Sequence, residues 1–129
     1  MCVCGGPLDT ISIVKEALAA VGEDVESRVE VYNEVVRLAA EMVGLPHPCL
    51  SPRLIPGDMV RGNEYNPNVV APPEMRLLKH SIRRDGVTMA VVVAPDPEKE
   101  GGKVVVDGFH RTTVVKHEPD IRDSLKGYV

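Results

Sequence analysis

Apolar side chains recur every three or four residues along the first third of the chain. Ile11, Val14, Leu18 and Val21 predict an amphipathic helix over Thr10 to Val21, with Asp9 or Thr10 to cap its first turn and Gly22 to end it. Val25, Val29, Tyr32, Val36, Ala39 and Val43 repeat the spacing over a longer helix, which Gly44 and Pro46 stop. Each helix must bury its stripe against the rest of the chain or against a partner, and core packing is the expected use rather than a partner-binding hairpin.

The pattern then breaks. Seven of the eleven prolines fall at 46, 48, 52, 56, 67, 72 and 73, which excludes a long helix and predicts extended chain and turns. Leu54 to Val60 is a short edge strand or turn, and Asn66-Pro67-Asn68 is a turn. Pro72-Pro73-Glu74 opens a third helix with Met75, Leu78 and Ile82 as its inner stripe and Gly86 as its end. Met89 to Ala94 is a continuous apolar run of the kind found in a strand buried on both faces. Pro95 to Gly102 is a polar loop, Lys103 to Val106 a second strand, and the chain turns helical from Phe109 or His110 through Lys116. Pro119 begins a last helix ending near Lys126-Gly127, and Tyr128-Val129 reads as the start of a strand. The implied class is α+β: a small sheet flanked by helices, with an N-terminal helical hairpin appended. Residues 1–45 hold the tail and hairpin, and residues 46–129 form one compact unit.

With 129 residues, one core is expected. Aromatics make up 3%, too few for a base-stacking platform. Nineteen acids against fifteen Lys and Arg leave a net charge of −4, which disfavours a grip on duplex DNA by its phosphates. No apolar run is long enough to span a bilayer and the first residues lack a signal-peptide pattern, so a cytoplasmic protein is expected. Cys2, Cys4 and Cys49 read as reduced thiols; Cys2-Val3-Cys4 lacks the second ligand pair that a structural zinc site needs, and no metal site is expected. His80 and His117 read as surface residues, and Lys79-His80 with Arg83-Arg84 as a solvated basic helix face.

One junction carries candidate chemistry. A strand ending at Asp107-Gly108 and restarting as a helix aims the free amides of a helix N-terminus at the strand's end, where a phosphate fits. His110 and Arg111 add donors, the guanidinium as a fork matching two phosphate oxygens, and Thr112 and Thr113 add hydroxyls. The competing reading is a tight turn with Arg111 paired to a nearby carboxylate. Asp107 is either an oxygen ligand for Mg²⁺ or, as favoured here, a cap on the turn.

The series Asn66-Pro67, Ser81 to Val87, Val91-Val92-Val93, Val104-Val105-Val106 and Asp107-Gly108-Phe109-His110-Arg111 resembles the ParB/sulfiredoxin superfamily over roughly half the chain. In that superfamily a Gly-His-Arg type signature opening a helix binds nucleotide phosphates. The resemblance therefore implies that Asp107, Gly108, Phe109, His110, Arg111, Thr112 and Thr113 hold the phosphates of ATP, ADP or CTP, with Mg²⁺ as the accompanying ion. The sulfiredoxin branch places a catalytic cysteine where this chain has Phe109, so sulfiredoxin activity is not expected. Asn66-Pro67-Asn68 followed by Ala71-Pro72-Pro73-Glu74-Met75 is similar to the immunoglobulin-binding regulator B-like branch of stand-alone ParB domains, regulators often encoded by phages and other mobile elements. The superfamily's free-serine kinases use a loop glutamate as base, and Glu64 is the counterpart here, against the alternative of a solvated loop carboxylate. Two functions follow as expectations: a nucleotide-binding ParB-like domain that hydrolyses a nucleoside triphosphate or transfers its phosphate, and a non-catalytic transcriptional co-regulator that binds DNA or a protein partner. A nuclease ranks behind both, since no carboxylate cluster suited to two-metal cleavage stands in the sequence.

Overall fold

The computed structural model describes residues 5–63 and 69–129. Among them the chain is α+β, with five α-helices and a three-stranded mixed sheet. It divides into two compact units, Met1–Arg53 and Leu54–Val129.

The first unit is helical: α1 spans Pro7–Ala19 and α2 spans Val25–Val43, with a 3-10 turn at Pro48–Leu50. α1 begins before the Thr10 expected from its stripe. Pro7 needs no amide acceptor at the first helical position, and the Asp9 carboxylate accepts from the Gly6 N–H at 3.0 Å, so the cap acts from inside the first turn. α2 keeps its expected bounds: the Asp24 carboxylate accepts from the Ser27 N–H at 2.9 Å, and Gly44 ends the helix at φ 71°. Arg28 Nε donates to the Gly22 carbonyl at 2.6 Å and ties down the connection. Neither helix contains a fully buried residue; within this unit the stripe residues Val21, Val25, Val29 and Val36 are half-buried.

The second unit holds the hydrophobic core. β1 (Val60–Arg61), β2 (Val92–Pro95) and β3 (Lys103–Asp107) lie in the order β1-β3-β2, with β1 parallel and β2 antiparallel to β3. Helices α3 (Pro72–Asp85), α4 (Phe109–His117) and α5 (Pro119–Ser124) supply Ile82, Val114, Val115 and Ile121 to one buried cluster, flanked by Met75, Leu78, Leu125 and Val129. The predicted inner stripe of α3 is thus the observed one.

β2 departs from expectation. It starts at Val92 rather than Met89, and Val92 is 51% exposed, where burial on both faces was expected. The strand order explains this, because β2 is an edge strand of a small sheet and cannot be enclosed as a central strand would be. In β3, Val105 is buried while Val106 is 64% exposed. The ladder pairs Val92 with Asp107 and Val93 with Val105, so Val106 is skipped in a β-bulge just before the turn into α4.

Polar contacts lash the elements together. Arg61 donates to both oxygens of the buried Asp96 carboxylate at 2.6 and 2.9 Å, joining β1 to the end of β2. Lys116 Nζ on α4 donates to the Val60 carbonyl. At the C-terminal end, Ile55 and Val129 exchange backbone hydrogen bonds at 2.9 and 2.8 Å, so Tyr128-Val129 does pair as extended chain, through a single bridge to Pro56.

Candidate functional site

The strand-to-helix junction forms as expected in outline. β3 ends at Asp107, Gly108 turns the chain, and α4 begins at Phe109. Gly108 has φ 97°, a conformation that side chains resist. A Cβ there would also stand 2.8 Å from the Arg111 terminal nitrogen and 3.2 Å from its Nε, because the guanidinium folds back over the glycine. The left-handed backbone calls for glycine here, and a side chain would in addition displace the guanidinium.

Among the described residues no side chain caps α4, and its first-turn amides have no acceptor within the helix. The favoured role of Asp107 as cap is therefore not observed. Its carboxylate is 72% exposed and lies 3.6 Å from Arg111 Nη2, an ion pair from the end of β3 to the first turn of α4. Arg111 is 22% exposed at its side chain, and Nη2 also donates to the Ala90 carbonyl at 3.3 Å, next to β2. Its Nε is buried with no hydrogen-bond partner among the described residues. A buried donor left without an acceptor is uncommon and costly, and it stands here beside a helix N-terminus.

Phe109 packs on the chain that leaves β1: a Cβ on Gly62 would lie 2.5 Å from the ring. His110 meets the same ring edge-on, with centroids 5.4 Å apart. The two threonines are committed inward. Thr112 is buried and its hydroxyl donates to the Gly108 carbonyl at 3.0 Å; the Thr113 hydroxyl donates to the Phe109 carbonyl at 2.9 Å. Both hydroxyls bond one turn back along the helix rather than opening toward its head. Glu64 and the Asn66-Pro67-Asn68 turn lie outside the described residues. Gly62, the residue that follows β1, is held against the Phe109 ring.

The expected basic face of α3 is largely neutralised. Lys79 and Arg83 both pair with Glu118, and Arg83 also forks onto Asp120 at 2.7 and 3.1 Å, while Arg84 pairs with Asp85. The Lys79 ammonium holds the Glu118 carboxyl below its ordinary value, and the Arg83 guanidinium does the same to Asp120. These cations clamp α3 to the head of α5. Sequence reasoning missed them because Arg83 and Asp120 stand 37 residues apart, and nothing local marks the pairing. The Arg61–Asp96 pair was missed for the same reason; there the guanidinium lowers the Asp96 carboxyl. His80, His117 and Cys49 are exposed. Among the described residues no group of three His, Cys, Asp or Glu is placed to hold a metal ion, and no helix is long and apolar enough to cross a membrane.

No family model matches the chain, and no solved structure matches it. It is 36% identical over 116 residues to an uncharacterized protein, YbdM, of Escherichia coli strain K12. The match takes in 87% of this chain and 52% of the relative, so the chain spans about half the length of the curated relative it matches.

Proposed function

We propose that Leu54–Val129 is a nucleotide-binding domain of ParB/sulfiredoxin type, which takes nucleotide phosphates at the turn from Asp107 to Arg111. The observation that carries this reading is the Arg111 guanidinium, folded over a glycine at the head of a helix that no described side chain caps, with a buried Nε that lacks an acceptor among the described residues. A phosphate at that place would accept from the helix amides, be favoured by the helix dipole, and give the guanidinium a forked partner in exchange for its long contact to Asp107. Asp107, exposed beside the same turn, is the oxygen ligand available to a Mg²⁺ that accompanies the nucleotide and offsets phosphate charge. ATP, ADP and CTP are the ligands to try first. The threonines support the turn through the helix backbone.

Phosphoryl transfer is the activity this site suits. It needs positioning, charge neutralisation and a base at the attacking oxygen. Glu64 is the proposed base: it takes the proton of a water or acceptor hydroxyl as that oxygen bonds to the terminal phosphorus, and the bridging P–O bond breaks to release the nucleoside diphosphate. The second reading, a non-catalytic co-regulator, draws support from the open apolar helices of Met1–Arg53 and points to a protein partner. The neutralised cations of α3 weigh against DNA.

Calorimetric titration with ATP, ADP and CTP in Mg²⁺, on the wild type and on Arg111→Ala, tests the proposal. The variant is expected to bind about 10- to 100-fold more weakly, the worth of a charge-assisted contact of about 1.5–3 kcal/mol. Equal affinity would remove Arg111 from the site. Phosphate release by the wild type but not by Glu64→Gln, with binding retained in both, would favour the enzyme over the co-regulator.

A further inference from the structure

From the open face of the N-terminal helices we infer that Met1–Arg53 is a homodimerisation element, docking against the same face of a second copy of this chain. Leu8, Ile11 and Leu18 fall on one side of α1, and Tyr32, Met42 and Val43 on one side of α2; all six are exposed, Leu8 at 82% and Met42 at 78%. Together with neighbouring valines they present on the order of 500 Å² of apolar surface, at the upper range for a monomer. One side of a standard dimer interface is about 800 Å² with roughly three-fifths of it apolar, so the face matches what a stable pair requires.

The shape is self-complementary. At the connection between the helices, Leu18, Val21, Val31, Tyr32 and Val35 line a cavity of about 420 Å³ together with Arg28, whose Nε is held by the Gly22 carbonyl. At the opposite ends of the two helices stand the projecting Leu8 and Met42. A two-fold axis that sets the helices antiparallel places the projecting side chains of each copy over the other's cavity, and the identical contact forms twice. Leucine and methionine are the side chains that fill such holes between helices.

Charge weighs against a nucleic-acid partner for this unit, and a second copy is acceptable only with its acids held apart. Residues 1–53 carry eight acids and four Lys or Arg, while residues 54–129 carry eleven of each, so the whole net charge of −4 belongs to the first unit. At helical spacing Glu16 on α1 and Glu26, Glu30, Glu34 and Glu41 on α2 lie opposite the apolar stripe, and Arg37 pairs with Glu34 and Glu41. A stripe-to-stripe dimer leaves these acids on the far sides of helices about 10 Å across, beyond a Debye length of about 8 Å.

Sedimentation velocity of the full chain from about 1 to 100 µM is the test, a range that reports micromolar association. The wild type is expected to sediment as a dimer that dissociates on dilution. Leu8→Glu with Met42→Glu, two carboxylates placed in the contact, should weaken association at least ~100-fold, while Glu30→Lys on the outer face leaves it intact. Far-ultraviolet circular dichroism should be unchanged in all three proteins; if the paired glutamates cost helix, Leu8→Ser with Met42→Ser takes their place. A wild type that is monomeric throughout, whether because another protein or another part of the chain covers the face, overturns the inference. So does a dimer that survives both paired variants.

Discussion

The two units of this chain invert the usual relation between local signal and tertiary burial. α2 has 19 residues, a carboxylate cap at one end and a left-handed glycine at the other, yet none of its residues is buried. α4 has nine residues and no side-chain cap, yet it buries Thr112, Val114 and Val115. The first helix is specified by its own ends; the second is held by what packs on it from α3, α5 and β3. The difference extends to charge, since the whole acid excess sits in Met1–Arg53 and Leu54–Val129 is formally neutral. In the second unit ions are used to join elements distant in sequence, as Arg83 joins Asp120; in the first, Arg37 pairs within a single helix.

Truncating equivalent aliphatic residues in the two units should give the largest contrast. Ile82→Ala, in the core cluster, is expected to cost about 2–5 kcal/mol in urea unfolding. Leu18→Ala, at a half-exposed position, should cost less than about 1 kcal/mol when measured on the dilute protein. Equal costs would mean that α1 belongs to a core after all.

A glycine pair sharpens the same contrast. Gly62→Ala would drive a methyl group to 2.5 Å from the Phe109 ring, and a cost of about 1–3 kcal/mol is expected as the ring gives way. A Cβ on Gly22, in the connection between α1 and α2, meets nothing within 4 Å, so Gly22→Ala should be neutral or mildly stabilising. A neutral Gly62→Ala would show that the chain leaving β1 is not seated on the turn.

The smallest effect concerns acid. Glu118 and Asp120 have carboxyls held below their ordinary values of 4.5 and 3.8 by Lys79 and Arg83. Groups depressed in the folded state contribute stability that is complete above those ordinary values and is lost as the pH falls through the folded ones. Unfolding of the second unit should therefore become easier below about pH 4.5, and Glu118→Gln should flatten that dependence. An unchanged slope would place the α3–α5 clamp outside the stability of the fold.

Much of this architecture was legible in the residues. The stripe from Val25 and the stop at Gly44 bound α2, Pro72 and Gly86 bound α3, and Asp107-Gly108 marks the passage from strand to helix, because prolines and glycines act over three or four residues. What was not legible depends on partners far along the chain. Val60, the most deeply buried valine, sat in a segment readable only as strand or turn, since its burial follows from pairing with Lys103 some forty residues later. Met89 to Ala94 reads as an enclosed strand because apolar runs do not announce their place in a sheet, and strand order made this one an edge. At the candidate site the residue types were readable and their orientations were not: Thr112 and Thr113 turn inward, and Asp107 faces Arg111 instead of capping the helix.

The most direct test of the phosphate-binding turn is an amide chemical-shift map of the isotope-labelled full chain, titrated with MgATP and, separately, with inorganic phosphate. The account predicts that the largest shifts fall on the amides of Gly108 to Arg111 and on the Arg111 Nε–H, for both ligands, and that they vanish in Arg111→Ala. Saturating shifts that cluster elsewhere in the chain, or none from either ligand, would contradict it.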